Sequence, residues 1–340
     1  MIPCLPIESS RGGGAGSGAG LSAASARVAV LIPCYNEELT VGAVVDDFRR
    51  VLPGAQVYVY DNNSTDRTAQ VAREHGARVR FEPRQGKGVT VRQMLRDIDA
   101  DCYVLVDGDS TYPAEAAPAL IEPILAGTAD MTVGDRLSNG AYAHENTRPF
   151  HDFGNNLVRL LIRLMYGYAF RDVMTGYRAF SRVFARSLPV VSRGFQLECE
   201  ISIHAVDKGW RILEVPIAYR DRPAGSVSKL STVSDGVRVL MAIGSLFKDY
   251  LPLKFFSLVA LVFVALGLVA GVPVVVEYAQ TGYVSKVPSA VLAVGLVFCG
   301  GLAFCTGCIL DTVARDSRKR WELDVYRAED ETRRRASQQR

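Results

Sequence analysis

The stretch Tyr103–Asp109 reads YVLVDGD, four apolar residues followed by two carboxylates that flank a glycine. A short apolar run that ends at turn residues is typical of a strand buried on both faces. Aspartates at the end of such a strand can converge on one divalent cation, and the glycine lets the backbone approach that cation closely. The stretch therefore predicts a core strand, with Asp107 and Asp109 as metal ligands at its end.

Strands and helices alternate on the N-terminal side of this stretch. The predicted strands are Val28–Ile32, Gln56–Tyr60 and Arg78–Phe81, each rich in apolar or β-branched residues. The predicted helices between them are Glu38–Leu52, Ser64–His75 (with Ser64 as its N-cap) and Val89–Ile98. This alternation predicts an α/β fold with a doubly wound, mostly parallel sheet, which binds ligands at the carboxyl ends of its strands.

Two long apolar runs, Phe255–Val276 and Val287–Leu310, lie near the C-terminal end. Each is long enough to cross the hydrocarbon core of a bilayer, which is roughly 30 Å thick. Basic residues flank the pair on both outer sides, whereas the connecting loop holds one charge of each sign. The positive-inside rule then predicts a membrane hairpin with the preceding domain and both termini in the cytoplasm. Two soluble core helices are the alternative.

The sequence divides into five predicted segments. They are residues 1–26 (a disordered tail rich in Gly, Ser and Ala), 27–233 (the α/β domain), 234–253 (a juxtamembrane amphipathic helix), 254–311 (the two-helix hairpin) and 312–340 (a charged cytoplasmic segment, either a solvated helix or a tail). The amphipathic segment has apolar residues at helical spacing, which suits a helix lying on the membrane surface. A helix that covers the sheet is the alternative for this segment.

The overall charge and the cysteine pattern exclude two classes of protein. The net charge of +3 over 340 residues is too small for the basic face that nucleic-acid binding demands. The seven cysteines are odd in number and irregularly spaced, which excludes a disulfide framework and is consistent with a reducing compartment. The oligomeric state is not readable from these features, and a homo-oligomer stays open.

Polar motifs also follow the other predicted strands. PCYNEE spans residues 33–38 and DNNSTD spans residues 61–66, and their acidic and amide side chains could bind a nucleobase or a ribose. A plain turn followed by a helix cap is the alternative for DNNSTD. QGKG at residues 85–88 places Lys87 where it could contact a phosphate or a base. It lacks the full P-loop pattern, which argues against an ATPase.

The ordered set of motifs resembles glycosyltransferase family 2, and within it the polyprenyl-phosphate hexosyltransferases, which include the dolichol-phosphate mannose synthases. The resemblance runs from Val28 to about Leu230. Besides the motifs above, it rests on GDR at 134–136, TGYR at 175–178, FQLE at 195–198, and Arg222 followed by SKL at 228–230. It implies a GT-A fold and an inverting transfer of a hexose or N-acetylhexosamine from a nucleotide-sugar to polyprenyl phosphate. The two apolar runs resemble the anchor of the membrane-bound members.

The resemblance also implies roles for individual residues. The nucleoside would be held by Pro33, Tyr35, Glu37 and Asp61. The diphosphate would be bound by Mg2+ or Mn2+ on Asp107 and Asp109, under a loop that carries Arg222, Ser228 and Lys229. Arg136 would hold the acceptor phosphate, which a guanidinium fork matches in shape; a surface ion pair is the alternative. Asp109, Arg136, Arg222 and Lys229 are thus the catalytic candidates, and Lys87 and Glu198 are further substrate-binding candidates.

The sequence departs from the mannose synthases in three places. Thr111 stands where they carry Gln, two residues after the second aspartate. DNN stands at 61–63 where they have Asp-Asp-Gly, which favours a UDP-sugar over a GDP-sugar. Arg148 and His151 lie where those enzymes place an acceptor-binding arginine, and either could serve that role, with loop packing as the alternative. Glu198 matches the FQLE motif and Glu200 does not.

The acceptor decides which side chains the reaction needs. A lipid phosphate is already anionic at neutral pH and needs no strong general base, whereas a hydroxyl acceptor would need a carboxylate base. Two other functions stay open: a transferase acting on a saccharide or protein hydroxyl, and a non-catalytic, transferase-like membrane scaffold. The intact pair of aspartates and the loop lysine argue against the scaffold.

Overall fold

The computed structural model describes residues 26–138, 149–192, 196–220, 222–223, 244–245 and 247–338. The strands in this part of the chain are β1 (Val28–Cys34), β2 (Gln56–Asp61), β3 (Arg78–Phe81), β4 (Cys102–Leu105), β5 (Met131–Asp135), β6 (Arg178–Ser181) and β7 (Ile212–Pro216). The helices are α1 (Val41–Val51), α2 (Thr68–Glu74), α3 (Lys87–Asp97), α4 (Ala117–Leu125), α5 (Pro149–Tyr166), α6 (Arg182–Ser187), α7 (Leu197–Asp207), α8 (Pro252–Thr281) and α9 (Val287–Gln338).

The strands form one mixed sheet in the order β3-β2-β1-β4-β6-β5-β7. The pairs β1–β2, β1–β4, β2–β3 and β5–β7 are parallel, and β6 runs antiparallel between β4 and β5. Arg178 at the start of β6 lies opposite Leu105 at the end of β4. The TGYR motif, which ends at the first residue of β6, therefore reaches the same edge of the sheet as the carboxyl ends of β1, β2 and β4. The predicted α/β fold with a mostly parallel sheet is confirmed.

The strand β4 is buried along its whole length because both faces of the sheet are covered. Tyr103 and Leu105 point into one apolar cluster, which α3 and α7 complete. Cys102 and Val104 point into a second cluster on the other face, which α1 and α4 complete. This double burial is why the segment reads as a continuous apolar run rather than an alternating one.

The predicted strands and helices occur at their expected places, with ends shifted by a few residues, except at one helix start. The prediction of Ser64 as an N-cap is wrong, because α2 begins only at Thr68. The Ser64 hydroxyl instead accepts a hydrogen bond from the backbone N–H of Asn36 at 2.9 Å. The Ser64 side chain, which the local pattern assigned to helix capping, is thus engaged in a long-range contact between two loops.

The helices α8 and α9 are long and apolar enough to span a membrane. In the most apolar stretch of each helix, only 17% of the residues are buried inside the structure. They pack closely because glycines face the partner helix: a Cβ on Gly267 would lie 2.8 Å from Val297, and one on Gly300 would lie 2.9 Å from Val264. α9 continues without a break to Gln338, so the predicted charged tail is a helix that extends the second apolar run.

Other predicted segments lie wholly or partly outside the described residues. The expected disordered tail covers residues 1–26, and of these only Ala26 lies within the described residues. Within the predicted amphipathic helix, residues 234–243 and 246 are likewise outside, while residues 244–245 and 247–250 are helical.

Candidate active site

Asp107 and Asp109 leave the end of β4 and each faces a cation. Asp107 Oδ1 lies 2.5 Å from Lys87 Nζ, and Asp109 Oδ2 lies 2.5 Å from a terminal guanidinium nitrogen of Arg222. Thr111 Oγ1 donates to Asp109 Oδ1 at 2.6 Å. The residue that departs from the mannose synthases therefore orients the second aspartate. Two carboxylates and two cations, drawn from distant parts of the chain, meet at the carboxyl end of β4.

Lys87 lies between two carboxylates at the start of α3. Its Nζ contacts Asp107 and also lies 2.6 Å from Glu198 Oε1. Only 15% of the Lys87 side chain is exposed. Burial by itself lowers the pKa of Lys87, but the charges of Asp107 and Glu198 and their hydrogen bonds outweigh burial and raise that pKa above its usual value. Lys87 is therefore a fixed positive charge at neutral pH, and Glu198 from α7 is brought into the site through it.

Two glycines make room for this arrangement. A Cβ on Gly176 would collide with Oδ2 of Asp107, and a Cβ on Gly108 would lie 2.6 Å from Cys34 Sγ. The described residues include no group of three or more His, Cys, Asp or Glu side chains that could hold a metal ion. Mg2+ usually takes one or two protein carboxylates and completes its shell with substrate phosphates and water. The pair Asp107 and Asp109 fits a cation of that kind, held jointly with a phosphorylated substrate.

The loops after β1 and β2 are joined by hydrogen bonds. Asn36 Oδ1 accepts from the N–H of Thr65 at 2.7 Å, and the N–H of Glu37 donates to Thr68 Oγ1 at 2.8 Å. Asn36 and Asn63 have positive φ values of 52° and 69°, which asparagine tolerates better than most residues. Polar side chains of both motifs, those of Asn36, Glu38, Ser64 and Asp66, are thus occupied in holding the two loops against each other.

The predicted nucleoside residues lie at the carboxyl ends of β1 and β2 and on the loop after β1. Asp61 is buried and accepts from the N–H of Ser64 at 3.2 Å, as in a turn, while Tyr35 is 37% exposed. Asn62 was not among the predicted site residues. Its side-chain amide donates to the carbonyl oxygens of Glu82 and Arg84, and its Oδ1 accepts from the N–H of Gly86. Asn62 therefore anchors the segment that carries Lys87, a role that no local pattern indicates.

Arg136 makes a two-point ion pair with a buried aspartate. Its Nε lies 2.7 Å from Asp172 Oδ2, a second nitrogen lies 3.1 Å from Oδ1, and its guanidinium carbon lies 5.4 Å from the ring centre of Tyr219. The Asp172 side chain is fully buried, so this pair is not the surface ion pair of the alternative interpretation. The pair uses two of the five N–H donors of the guanidinium and fixes its plane. Sequence reasoning missed Asp172.

The TGYR motif forms the wall beneath the two aspartates. The N–H of Gly176 donates to the hydroxyl of Tyr112 at 2.9 Å. Arg178 is fully buried and donates to the carbonyl oxygens of Thr175 and Val173, and burial lowers its pKa. Arg178 therefore supports the backbone at this edge rather than facing a substrate.

The remaining predicted site residues are divided between the described and undescribed parts. Arg148, Ser228 and Lys229 lie outside the described residues. His151 belongs to α5, but its side chain is not described. Pro33 is the penultimate residue of β1. Glu37 lies on the loop after β1, with Thr40 Oγ1 donating to Glu37 Oε2 at 3.2 Å.

Comparisons with known proteins agree with this fold. The family model described as Glycosyl transferase family 2 matches residues 29–188. Glycosyltransferase AglJ of Haloferax volcanii is 32% identical over 275 residues, which cover 80% of this chain and 88% of AglJ. A dolichyl-phosphate hexose transferase of the same organism is 34% identical over 212 residues, which cover 62% of this chain and 90% of that protein. The chain belongs to glycosyltransferase family 2.

Solved structures share the fold at lower identity. Glucosyl-3-phosphoglycerate synthase from Mycobacterium tuberculosis, in complex with Mn2+, UDP and phosphoglyceric acid, matches with a TM-score of 0.53 and 24% identity, over 66% of this chain and 78% of that one. At this identity the likeness concerns the fold alone. It confirms the predicted GT-A class for the α/β domain, which two apolar C-terminal helices follow.

Proposed function

We propose that this glycosyltransferase is metal-dependent and inverting, and that it moves a hexose or N-acetylhexosamine from a nucleotide-sugar to polyprenyl phosphate. The observation that carries the proposal is the pairing of Asp107 with Lys87 and of Asp109 with Arg222 at the carboxyl end of β4. A metal cation can take the place of the Lys87 or Arg222 charge beside the aspartates. Arg222, once released from Asp109, then suits a phosphate, because a guanidinium binds phosphate as well as it binds a carboxylate.

The donor would occupy the edge formed by the loops after β1, β2 and β4. Pro33, Tyr35, Glu37 and Asp61 would hold the nucleoside, and a UDP-sugar is favoured. A bound Mg2+ or Mn2+ on Asp107 and Asp109 would neutralise the charge that builds on the departing diphosphate. Arg222, Ser228 and Lys229 would bind the same diphosphate from the other side.

The acceptor is proposed from the state of the carboxylates. Asp107, Asp109, Glu198 and Asp172 are each in an ion pair with a lysine or arginine. A carboxylate whose oxygens already contact a lysine or an arginine is poorly placed to take a proton from an acceptor hydroxyl, so the arrangement suits a nucleophile that is already ionised, such as a phosphate monoester. Arg136, fixed by Asp172, would position that phosphate, with Arg148 or His151 nearby. The relative named as a dolichyl-phosphate hexose transferase supports this acceptor class.

The membrane is the proposed location of the acceptor. α8 and α9 would cross the bilayer as a hairpin, with the catalytic domain and both termini in the cytoplasm. A lipid phosphate lies at headgroup depth, so an anchor of this kind keeps the enzyme where its acceptor is.

A donor screen tests the proposal directly. Purified protein is incubated with UDP- and GDP-sugars, Mg2+ or Mn2+, and either polyprenyl phosphate or free polyprenol, and lipid-linked sugar is read by mass spectrometry. We expect product only from the phosphate, loss of product with EDTA, and loss in Asp109→Asn. Asp130→Asn is the matched control, because Asp130 pairs with Arg211 at the opposite end of the sheet. Equal glycosylation of the free polyprenol would refute the proposed acceptor.

A further inference from the structure

We propose that the cytoplasmic part of α9 is a strut, docked on the catalytic domain through Trp321 and Arg318, that holds the active site at a fixed height above the bilayer. The inference rests on the proposed function, because it takes α8 and α9 as membrane spans and a lipid phosphate as the acceptor. It assigns Trp321 and Arg318 as positioning residues for the transfer reaction.

The first observation is the length of α9. Its 52 residues make a helix about 78 Å long, whereas the hydrocarbon core is roughly 30 Å thick. The apolar run ends near Leu310, and about 16 Å of helix separates Leu310 from Trp321. A rigid rod that leaves the membrane therefore reaches the catalytic domain at a defined distance from the bilayer.

The second observation is that one face of this rod is covered. Between residues 311 and 332, partly or fully buried positions recur three and four residues apart, with exposed residues between them. They include Ala314, Arg318, Trp321, Val325, Ala328 and Thr332. A solvated tail would be exposed on every face, so this stripe indicates a helix that packs on a partner. The partner is the catalytic domain of the same chain, where α6 contacts α9.

Trp321 is the centre of the docked face. Its indole N–H donates to the carbonyl oxygen of Ser187 at the end of α6, at 3.3 Å. Its ring lies edge-on to His204 and Trp210, with centroids 5.7 and 5.6 Å away, and Lys208 Nζ lies 5.1 Å from the ring centre. An indole that is packed on its ring and bonded at its N–H is held in one orientation.

Arg318, one turn earlier, adds an ion pair with a buried aspartate. Its guanidinium lies 2.6 Å from Asp207 Oδ1, and the Asp207 side chain is 2% exposed. The same nitrogen donates to the carbonyl oxygen of Tyr250, two residues before α8, at 3.2 Å. One side chain thus ties α9 to α7 and to the start of the other apolar helix. Lys208 Nζ also lies 3.1 Å from Asp207 Oδ2, so Arg318 completes a three-residue ion-pair network around the buried aspartate.

The helix that receives these contacts leads to the active site. Asp207 and His204 lie at the C-terminal end of α7, and Glu198 lies at its N-terminal end, on Lys87. The 11 residues of α7 form a rigid segment about 16 Å long. Docking of α9 therefore sets the position of the Lys87 and Asp107 pair relative to the membrane. A lipid phosphate at headgroup depth requires that position, whereas a soluble acceptor does not.

The test compares two acceptors on the full-length enzyme in liposomes. One acceptor is a long-chain polyprenyl phosphate in the same bilayer, and the other is a short prenyl phosphate dissolved in water. We expect Trp321→Ala to lower kcat/KM for the long-chain acceptor by about tenfold or more, since small misplacements of reacting groups are costly. The short acceptor should react as with the wild type. Tyr326→Ala, on the exposed face of the same helix, is the matched control and should change neither rate.

A structural measurement separates the outcomes. Hydrogen exchange of the α7 amides in liposomes should rise in Trp321→Ala, and Trp321→Phe, which keeps an aromatic ring, should restore both slow exchange and long-chain activity in part. Equal loss with both acceptors, or no loss with either, would overturn the strut. If the wild type glycosylates neither phosphate, the proposed function fails. Unchanged α7 exchange in Trp321→Ala would refute the docking independently of activity.

Discussion

His204 should make the protein sensitive to mild acid. The ring is 2% exposed, it lies edge-on to Phe184 and Trp321, and its Nε2 has no hydrogen-bond partner among the described residues. Burial, and secondarily the charge of Lys208, lower the pKa of His204 to about 3. A buried imidazole without a bonding partner strongly disfavours the protonated form.

The size of the effect follows from linkage. The pKa of histidine in the unfolded chain is about 6.5, so the unfolded state takes up a proton on acidification before the folded state does. Above about pH 6.5 the histidine is neutral in both states and does not lower the free energy of unfolding. That free energy falls progressively as the pH drops from 6.5 towards 3. At pH 5 the loss should be about 2 kcal/mol. For a domain of this size, that corresponds to about 4–8 °C in Tm.

Thermal unfolding at pH 7 and pH 5 measures this loss. The chain has two tryptophans, Trp210 and Trp321, and both lie in the cluster around His204, so intrinsic fluorescence reports on the relevant region. His204→Phe should keep the aromatic packing and lose less Tm on acidification than the wild type, by the amount above. An equal acid-induced loss in His204→Phe and the wild type would refute the reasoning.

Three further predictions concern the ion pairs and the membrane. Lys87→Met should destabilise the α/β domain by about 3 kcal/mol, because it leaves Asp107 and Glu198 without their shared cation, and adding Glu198→Gln should recover part of the loss in Tm. Arg136→Ala should raise KM for polyprenyl phosphate more than for the nucleotide-sugar, at a cost of about 2 to 4 kcal/mol in kcat/KM; unchanged acceptor kinetics would exclude the proposed contact. A cysteine in place of Gly282 should react with an impermeant thiol reagent on intact cells, and labelling only after permeabilisation would contradict the hairpin.

The fold class could be predicted because its signals are local. A buried strand between two helical layers must be apolar on both faces, which is why β4 shows as a run of four apolar residues before Asp107. A helix that can span a membrane must be apolar on every face along the span, which is why the apolar parts of α8 and α9 can be recognised from composition. The predicted strand Arg78–Phe81 matches β3 residue for residue. The candidate site is predicted at the end of β4 on the same grounds, and the structure brings Lys87 and Arg222 to the two aspartates there.

The partners of the site residues could not be predicted, because they come from far along the chain. Asp172 lies 36 residues from Arg136, and Glu198 lies 111 residues from Lys87. No period or spacing records such a pair, since it exists only when β6 inserts antiparallel between β4 and β5 and α7 covers the sheet. The C-terminal helix illustrates the same limit. Its charged composition predicted a tail, and only packing against α6 and α7 decided that Trp321 and Arg318 face the catalytic domain, because burial depends on what lies opposite a side chain.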